Sequence, residues 1–424
     1  MTARSLGWLV LAALLLLALV AATAGWWDRD ADLRAAPGPA AAAPPASAVA
    51  RGAYLAQVGH CAGCHTARGG APWAGGHVVP TPFGNAVAAN LTPDVDTGLG
   101  RWTPAAFRRA LRDGRSADGR ALLPACPYPN FSLVNDADAD DLFAFLQSLP
   151  PQRHAVPPHT LRWPYQLPMA LTAWRAMAFS PASLPQAPSG ARADWARGAY
   201  LVGGLGHCSA CHGLRDRWGA NAGAWDFRGG VIPRQGWVAP SLTDPRGASV
   251  SGWTDDEVRA LLQSGGNARA TTSGPMALVV AHSTQHYREH DARAVAEFLR
   301  RLPITESPRA RVEAPAGASL QAGERLYERH CADCHGKAGQ GVDDAGPALA
   351  GNRALALDSP VNVMRVVLGG GFGPATAMQP RPLGMPPFAT LLSDDEIAAV
   401  VSHVRWHFGN GASGVTAFQV NGQR

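Results

Sequence analysis

The chain has 424 residues, of which 46% are hydrophobic and 16% are charged, and its formal net charge is +5 at pH 7. This length exceeds what one small core can use and suits about three domains of roughly 100 to 150 residues each. Such a mild positive charge indicates no nucleic-acid partner, and seven cysteines in so long a chain exclude a disulfide-rich secreted scaffold.

An apolar segment occupies the start of the chain. Residues 6–24 carry no charge, Arg4 precedes them, and two tryptophans follow at 26–27. The pattern predicts an export signal, either a cleaved signal peptide or an uncleaved membrane anchor, of which the anchor is favoured because the segment is long enough to span a bilayer. Both alternatives place the bulk of the chain outside the cytoplasm. Residues 28–49 are rich in Ala and Pro and predict a tether.

The pattern Cys-x-x-Cys-His occurs three times and uses six of the seven cysteines. Two thiols one helical turn apart suit the two vinyl groups of one haem, and the adjacent His suits the proximal iron position. Tetrahedral zinc is the alternative, but it needs four ligands close together, and 147 and 123 residues separate successive motif histidines. The chain is therefore predicted to bind three haem c groups, attached at Cys61 and Cys64, Cys208 and Cys211, and Cys331 and Cys334, with His65, His212 and His335 as iron ligands.

Similar flanking segments make each motif the centre of a repeat. Ala-Arg-Gly-Ala-Tyr-Leu precedes the first motif at 50–55 and the second at 196–201. Each repeat ends in apolar residues spaced i, i+3, i+4, i+7, which predict a terminal amphipathic helix. Middle helices are predicted near 104–113, 255–264 and 360–368, capping boxes at Thr254–Glu257 and Ser393–Glu396, and terminal helices on stripes that begin at Leu142, Val295 and Ile397.

These patterns predict an all-α fold with three tandem haem domains after the N-terminal hydrophobic segment. The predicted boundaries are 1–27 for the signal or anchor, 28–49 for the tether, 50–152 for the first domain, 153–190 for a linker, 191–305 for the second domain, 306–317 for a linker and 318–424 for the third domain.

A methionine is the expected second axial ligand in two of the repeats, because Met is a common distal ligand that raises the reduction potential. Met385 lies in a Pro-bounded loop before the last helix and is favoured over Met378, whose loop is less stiff. Met276 follows Gly-Pro at the matching place in the second repeat. A bis-His haem stays open there, because His282, His286 and His290 lie nearby.

The first repeat has a cysteine where the other two have a methionine. No Met occurs between Gly84 and Leu167, and Cys126 stands at the matching position. One hypothesis is that Cys126 ligates the first haem, and a thiolate there would lower its potential. The alternatives are an intermolecular disulfide, a reactive thiol or a buried filler, with His77, His154 and His159 as fallback ligands.

Four further segments carry a family resemblance: Asn90–Asp94, Leu161–Pro164, Gly274–Ala277 and Arg365–Gly370. With the three motifs, they make the chain resemble the tri-haem cytochrome c subunits of membrane-bound bacterial dehydrogenases. These subunits accompany quinoprotein alcohol dehydrogenases, flavin-dependent gluconate, sorbitol or fructose dehydrogenases, and some molybdenum hydroxylases. That family has Tyr-Pro-Ala-Met-Pro-Tyr where this chain has Leu-Pro-Ala-Cys-Pro-Tyr. The resemblance implies cytochrome c-like domains, axial Met276 and Met385, and Pro347 on the proximal side of the third haem.

The expected function is electron transfer, with no catalytic residue of its own. Electrons would pass from a catalytic dehydrogenase subunit of the quinoprotein (PQQ), flavin or molybdenum type to ubiquinone or a terminal oxidase at the membrane. Two alternatives stay open: a multihaem enzyme that acts on a small substrate at a Cys-ligated haem, or a free-standing electron carrier.

Overall fold

The computed structural model describes residues 44–306 and 312–424, together with the helical positions Trp8, Ala12 and Leu15. Apart from those three positions, the predicted signal or anchor and residues 28–43 of the tether lie outside the described residues. Among the residues described, no helix has the length and apolar character needed to cross a bilayer. The described chain forms two compact units, the first with residues 44–56, 61–183 and 215–224, the second with 57–60, 184–214, 225–306 and 312–424.

The first unit is built mainly from short helices around the first motif. Its first helix begins at Ala46, four residues before the predicted start of the folded part, because the stretch is rich in alanine, the best helix former, and the amides of Ala48 and Val49 donate to the carbonyl of Pro45. The elements are α1 (Ala46–Val58, whose last two residues belong to the second unit), α2 (Cys61–His65), β1 (Val78–Thr81), β2 (Gly84–Val87), α3 (Pro104–Asp113), α4 (Tyr128–Phe131), α5 (Asp136–Gln147), β3 (Thr160–Leu161) and α6 (Pro168–Ala178).

The second unit contains the second and third motifs. Its elements are α7 (Trp195–Tyr200), a π-helical turn (Leu201–Leu205), α8 (Ser209–His212), β4 (Gly230–Val231), β5 (Val238–Ala239), α9 (Asp255–Ser264), α10 (Pro275–His282), a 3₁₀ turn (Thr284–His286), α11 (Glu289–Arg300), α12 (Gly317–His330), α13 (Ala332–His335), α14 (Arg353–Ala356), α15 (Val361–Gly369), β6 (Gly371–Phe372), β7 (Gly384–Met385), α16 (Asp394–Trp406) and α17 (Ala417–Asn421).

The three predicted middle helices are confirmed as α3, α9 and α15. The three predicted terminal helices are confirmed as α5, α11 and α16. Both predicted capping boxes are present, with Thr254 and Ser393 as the capping side chains. In the third middle helix, Pro360 is the N-cap residue and not the first helical residue as predicted. The terminal stripes are core: Leu142, Val295 and Ile397 are at most 3% exposed.

The all-α prediction is wrong in one respect, because the described residues also form three small antiparallel sheets. Their strand orders are β1-β2-β3, β4-β5 and β6-β7. The strands are two to four residues long, so they are too short to show the alternation of apolar and polar residues that marks a strand in a sequence.

One tight helix crossing recurs three times and holds each motif's leading helix against a terminal helix. In each case a glycine of the leading helix lies so close to a backbone carbonyl that a Cβ atom would overlap it. Close approach of this kind requires glycine. A Cβ added to Gly52 would lie 1.9 Å from the carbonyl oxygen of Asp141. The corresponding distances are 2.0 Å from Gly198 to Ala294 and 2.2 Å from Gly323 to Ala399.

Candidate haem sites

Each Cys-x-x-Cys-His sequence folds into a single helical turn. The turns are α2, α8 and α13, and in the last two the amide of the motif histidine donates to the carbonyl of the first cysteine at 2.9 Å. Residues three apart in a helical turn face the same side. The fold therefore presents both thiols of each motif to one side, as two thioether bonds to one haem require.

The three motif histidines are held in the same way. Their Nδ1 atoms lie 2.7–2.8 Å from backbone carbonyl oxygens. A carbonyl can only accept, so Nδ1 carries the proton and Nε2 keeps its lone pair, which is the tautomer that binds iron. Burial lowers the pKa of all three imidazoles and keeps them neutral. The pairs are His65 with Ala89, His212 with Pro240, and His335 with Pro347.

The contact with His335 puts Pro347 beside the motif histidine, and its expected place on the proximal side of the third haem stays a prediction. The acceptors Ala89 and Pro240 were not predicted, although the sequence holds a signal for them. Both residues occur in an Ala-x-Asn/Ser-Leu-Thr pattern, at 88–92 and 239–243. In both copies the third residue's side chain accepts from the backbone amide two residues later, at 2.9 and 3.2 Å. This local turn fixes the direction of the preceding carbonyl.

A single continuous cavity of about 1460 Å³ lies inside the second unit, and the second and third motifs both line it. Pockets for one drug-sized ligand span roughly 300–1,000 Å³, so this cavity is larger than one such ligand requires. Its walls are mainly apolar, as the non-polar faces of haem require. The cysteines and the histidine of both motifs, Met276 and Met385 all belong to the lining.

The two methionines are supported by different local structures. Met276 is the second residue of α10, and Gly274 is the N-cap residue of that helix, with φ 54°. Gly274 packs against Trp237 so closely that a Cβ on the glycine would lie 2.6 Å from the indole. Met385 lies in β7 and packs against the apolar core of the second unit. The competitor Met378 is 77% exposed. These positions favour Met385 over Met378 as the candidate ligand beside the third motif.

Among the histidines proposed for a bis-His haem, His282 lines the cavity. Its ring centroid lies 5.7 Å from that of His60, the residue before the first motif. All three histidines are exposed, and within the described ranges His286 and His290 do not belong to the cavity lining. Only His282 therefore remains an alternative to Met276.

In the first unit, the structure brings Cys126 close to the motif cysteines. Burial raises the pKa of the Cys61 thiol to about 12, and the charges of Cys64 and Cys126 add to that effect. Burial and Cys64 likewise raise the pKa of Cys126 to about 12. Cys126 is half-buried in the loop between α3 and α4 and forms no disulfide. It thus lies near the motif thiols of the first unit.

The three fallback histidines of this unit lie in different places. Burial lowers the pKa of His65 and the charge of His77 adds to that effect, so His77 lies near the motif histidine. His154 and His159 are exposed, and each uses Nδ1 in a hydrogen bond to the backbone, at 2.8 and 3.0 Å.

Comparison with known proteins gives a consistent set of similarities. The family model for cytochrome c matches residues 49–150 and 320–408. The cytochrome c subunit of the quinone-dependent alcohol dehydrogenase of Gluconobacter oxydans (strain 621H) is 35% identical over 390 residues, which cover 87% of this chain and 80% of the relative. The gluconate 2-dehydrogenase cytochrome c subunit of Pantoea cypripedii is 34% identical, and the match covers 88% of this chain and 88% of the relative. A nicotinate dehydrogenase subunit of Pseudomonas putida is 39% identical over 86% of this chain, but only 30% of that relative is covered.

Proposed function

Since the chain belongs to the family of cytochrome c subunits of dehydrogenase complexes, and is therefore an electron-transfer subunit with covalently bound haem c, we propose that it carries three haems. It passes electrons from a catalytic dehydrogenase subunit to ubiquinone or a terminal oxidase. This transfer takes place at the periplasmic face of the inner membrane. The N-terminal apolar segment anchors the chain or directs its export.

The observation that carries the proposal is the repetition of one arrangement three times. Each Cys-x-x-Cys turn is followed by a neutral histidine whose Nδ1 is bound to a carbonyl oxygen. Haem iron needs that tautomer, and haem attachment needs that turn. The same reasoning supports three cytochrome c-like domains at 50–152, 191–305 and 318–424.

The distal ligands complete the proposal. Met276 and Met385 ligate the second and third haems, and Cys126 ligates the first. Methionine ligation raises the potential, whereas a thiolate adds negative charge at the iron and lowers it. Burial raises the pKa of Cys126, so its protein surroundings disfavour a thiolate, and ferric iron itself would have to stabilise one.

A haem count tests the proposal. The exported chain, purified with its complex, is expected to give three covalent haems per chain in an alkaline pyridine assay, and replacement of Cys331 and Cys334 by Ala is expected to leave two. Two haems in the unaltered chain would contradict the count.

The electron acceptor is tested separately. Chemically reduced complex is mixed with a water-soluble ubiquinone analogue or with oxidase-containing membranes, and haem reoxidation is followed by absorbance. Reoxidation by neither acceptor would contradict this part of the proposal.

A further inference from the structure

Arg353 follows Pro347, whose carbonyl holds the histidine of the third motif, and forms part of the wall of the shared cavity. Arg353 is the first residue of α14, and the side chain of Asn352 caps that helix by accepting from the amide of Ala354 at 3.0 Å. Arg353 and Asn352 both line the cavity. The capped helix start therefore fixes the backbone of Arg353 at the cavity wall.

Contacts of Arg353 join the third repeat to the second, within the same unit. Its backbone amide donates to the carbonyl of Arg269 at 2.9 Å, and its Nη1 donates to the carbonyl of Ser249. Its guanidinium carbon lies 5.1 Å from the ring centroid of Trp253. Next to it, Asn352 donates to Thr271 at 3.1 Å. These contacts hold Arg353 in one position beside the segment that leads to Met276.

The charge around Arg353 is not balanced by the protein. The guanidinium of Arg269 approaches the same indole, at 5.9 Å, and pairs with Glu257 at 2.7 Å. Among the described residues, no carboxylate forms an ion pair with Arg353. Burial and the charge of Arg269 lower the pKa of Arg353. A partly buried cation without a counter-ion is costly, so the position calls for an anion.

Haem c would bring such an anion into the cavity. Its two propionates are carboxylates, and a guanidinium can bind a carboxylate through two parallel hydrogen bonds. We propose that Arg353 binds a propionate of a haem in the shared cavity and raises the reduction potential of that haem. The inference rests on the proposed function, because it requires haem at the second and third motifs. A positive charge near the iron disfavours the ferric state, which carries one more positive charge than the ferrous state.

The test replaces Arg353 in the full-length chain and measures all reduction potentials by spectroelectrochemical titration. Arg353→Gln removes the charge and is expected to lower the potential of one haem and to leave that of the first haem unchanged. Arg353→Lys keeps a charge without the planar fork and is expected to give a smaller fall. Arg293→Gln is the control, because Arg293 is 58% exposed and pairs with Glu289 on the surface of the same unit; it is expected to move no potential.

Two further variants, each combined with Arg353→Gln, identify the haem that carries the propionate. Met276→His and Met385→His are each expected to lower the potential of their own haem, which labels the second and third haems in the titration. If Arg353→Gln shifts the haem labelled by Met276→His, the propionate belongs to the second haem, and if it shifts the other, to the third.

The outcome that overturns the inference is an Arg353→Gln protein with a full haem content and unchanged potentials. A haem count below three in the unaltered chain contradicts the proposed function instead, so the two failures are distinguishable. If Arg353→Gln fails to mature, the neutral variant Arg353→Met, whose unbranched side chain can still cover Trp253, decides: unchanged potentials overturn the inference, and a fall in one potential supports it.

Discussion

Gly198 in α7 packs directly on the backbone of Ala294 in α11, where a Cβ on the glycine would lie 2.0 Å from the carbonyl oxygen and 2.8 Å from the Cβ of Phe298. This crossing lies ten residues before Cys208, the first cysteine of the second motif.

Gly198→Ala is expected to separate these helices and to lower the free energy of unfolding by about 3 kcal/mol, the upper range for overpacking a core. The measurement is urea denaturation followed by circular dichroism. Gly252→Ala is the matched control, because a Cβ at Gly252 meets no atom within 4 Å; its effect is expected to stay within about 0.5 kcal/mol. If Gly198→Ala and Gly252→Ala unfold with the same free energy, the close packing of α7 on α11 does not stabilise the fold.

Cys126→Ala is expected to remove one third of the low-spin haem signal in electron paramagnetic resonance, because one of three haems would lose its distal sulfur ligand. Cys126→Met introduces the residue that the related subunits carry at this place. It is expected to restore a low-spin haem and to raise the potential of the first haem. An unchanged spectrum in the alanine variant would show that Cys126 is not a ligand.

Stability is expected to fall as the pH decreases from about 6.5 to about 4, because of His60. Burial, followed by the charges of His207 and His282, lowers the pKa of His60 from 6.5 to about 4. In that window the unfolded chain binds a proton that the folded chain does not, so acidification favours unfolding. The full effect is on the order of 3 kcal/mol.

Replacement of His60 by Asn is expected to flatten this dependence in urea titrations at pH 7 and pH 5. His286→Asn, at an exposed position, is the control and is expected to leave the dependence unchanged. The prediction is wrong if His60→Asn loses as much stability between the two pH values as the unaltered protein does.

Arg405 in α16 is expected to be essential for the packing of the last repeat. It is 1% exposed, and its guanidinium donates to the carbonyls of Leu355 and Leu357, both at 2.9 Å, and of Ser413 at 3.1 Å. Burial lowers its pKa to about 10. Arg405→Met removes these bonds, leaves the carbonyls buried without their donors, and is expected to cost about 3 to 5 kcal/mol in unfolding experiments.

Arg325→Met, at an exposed position on α12, is the control for loss of a positive charge and is expected to change stability by less than about 0.5 kcal/mol. If Arg405→Met unfolds at the same urea concentration as this control, the hydrogen bonds of Arg405 do not stabilise the fold.

Local order was predictable from the sequence alone. The Cys-x-x-Cys-His turns, the capping boxes at Thr254 and Ser393 and the middle helices depend on residues within a few positions of each other, so their spacing is visible in the chain. The three repeats were visible for the same reason, since each copy carries its own motif and flanking pattern.

Contacts between distant residues were decided only by the tertiary structure. The acceptors of the motif histidines lie 24, 28 and 12 residues away, so their distance along the chain does not identify them. A local sequence pattern marks Ala89 and Pro240, but only the folded chain pairs them with His65 and His212. The number of residues from the crossing glycine to the first cysteine also varies, being 9, 10 and 8 in the three repeats. In the longest of these, the π-helical turn at Leu201–Leu205 accommodates the added length.

The contacts of Arg353 at the shared cavity were likewise not predictable from the sequence. Arg353 follows the third motif in the chain, yet its side chain and amide bind Ser249 and Arg269, 104 and 84 residues earlier. Sequence determined the chemistry of each haem site, because thiols and an imidazole must be close along the chain to hold one haem. The surroundings that set each haem's charge and burial come from separate segments, and only their packing brings those segments together.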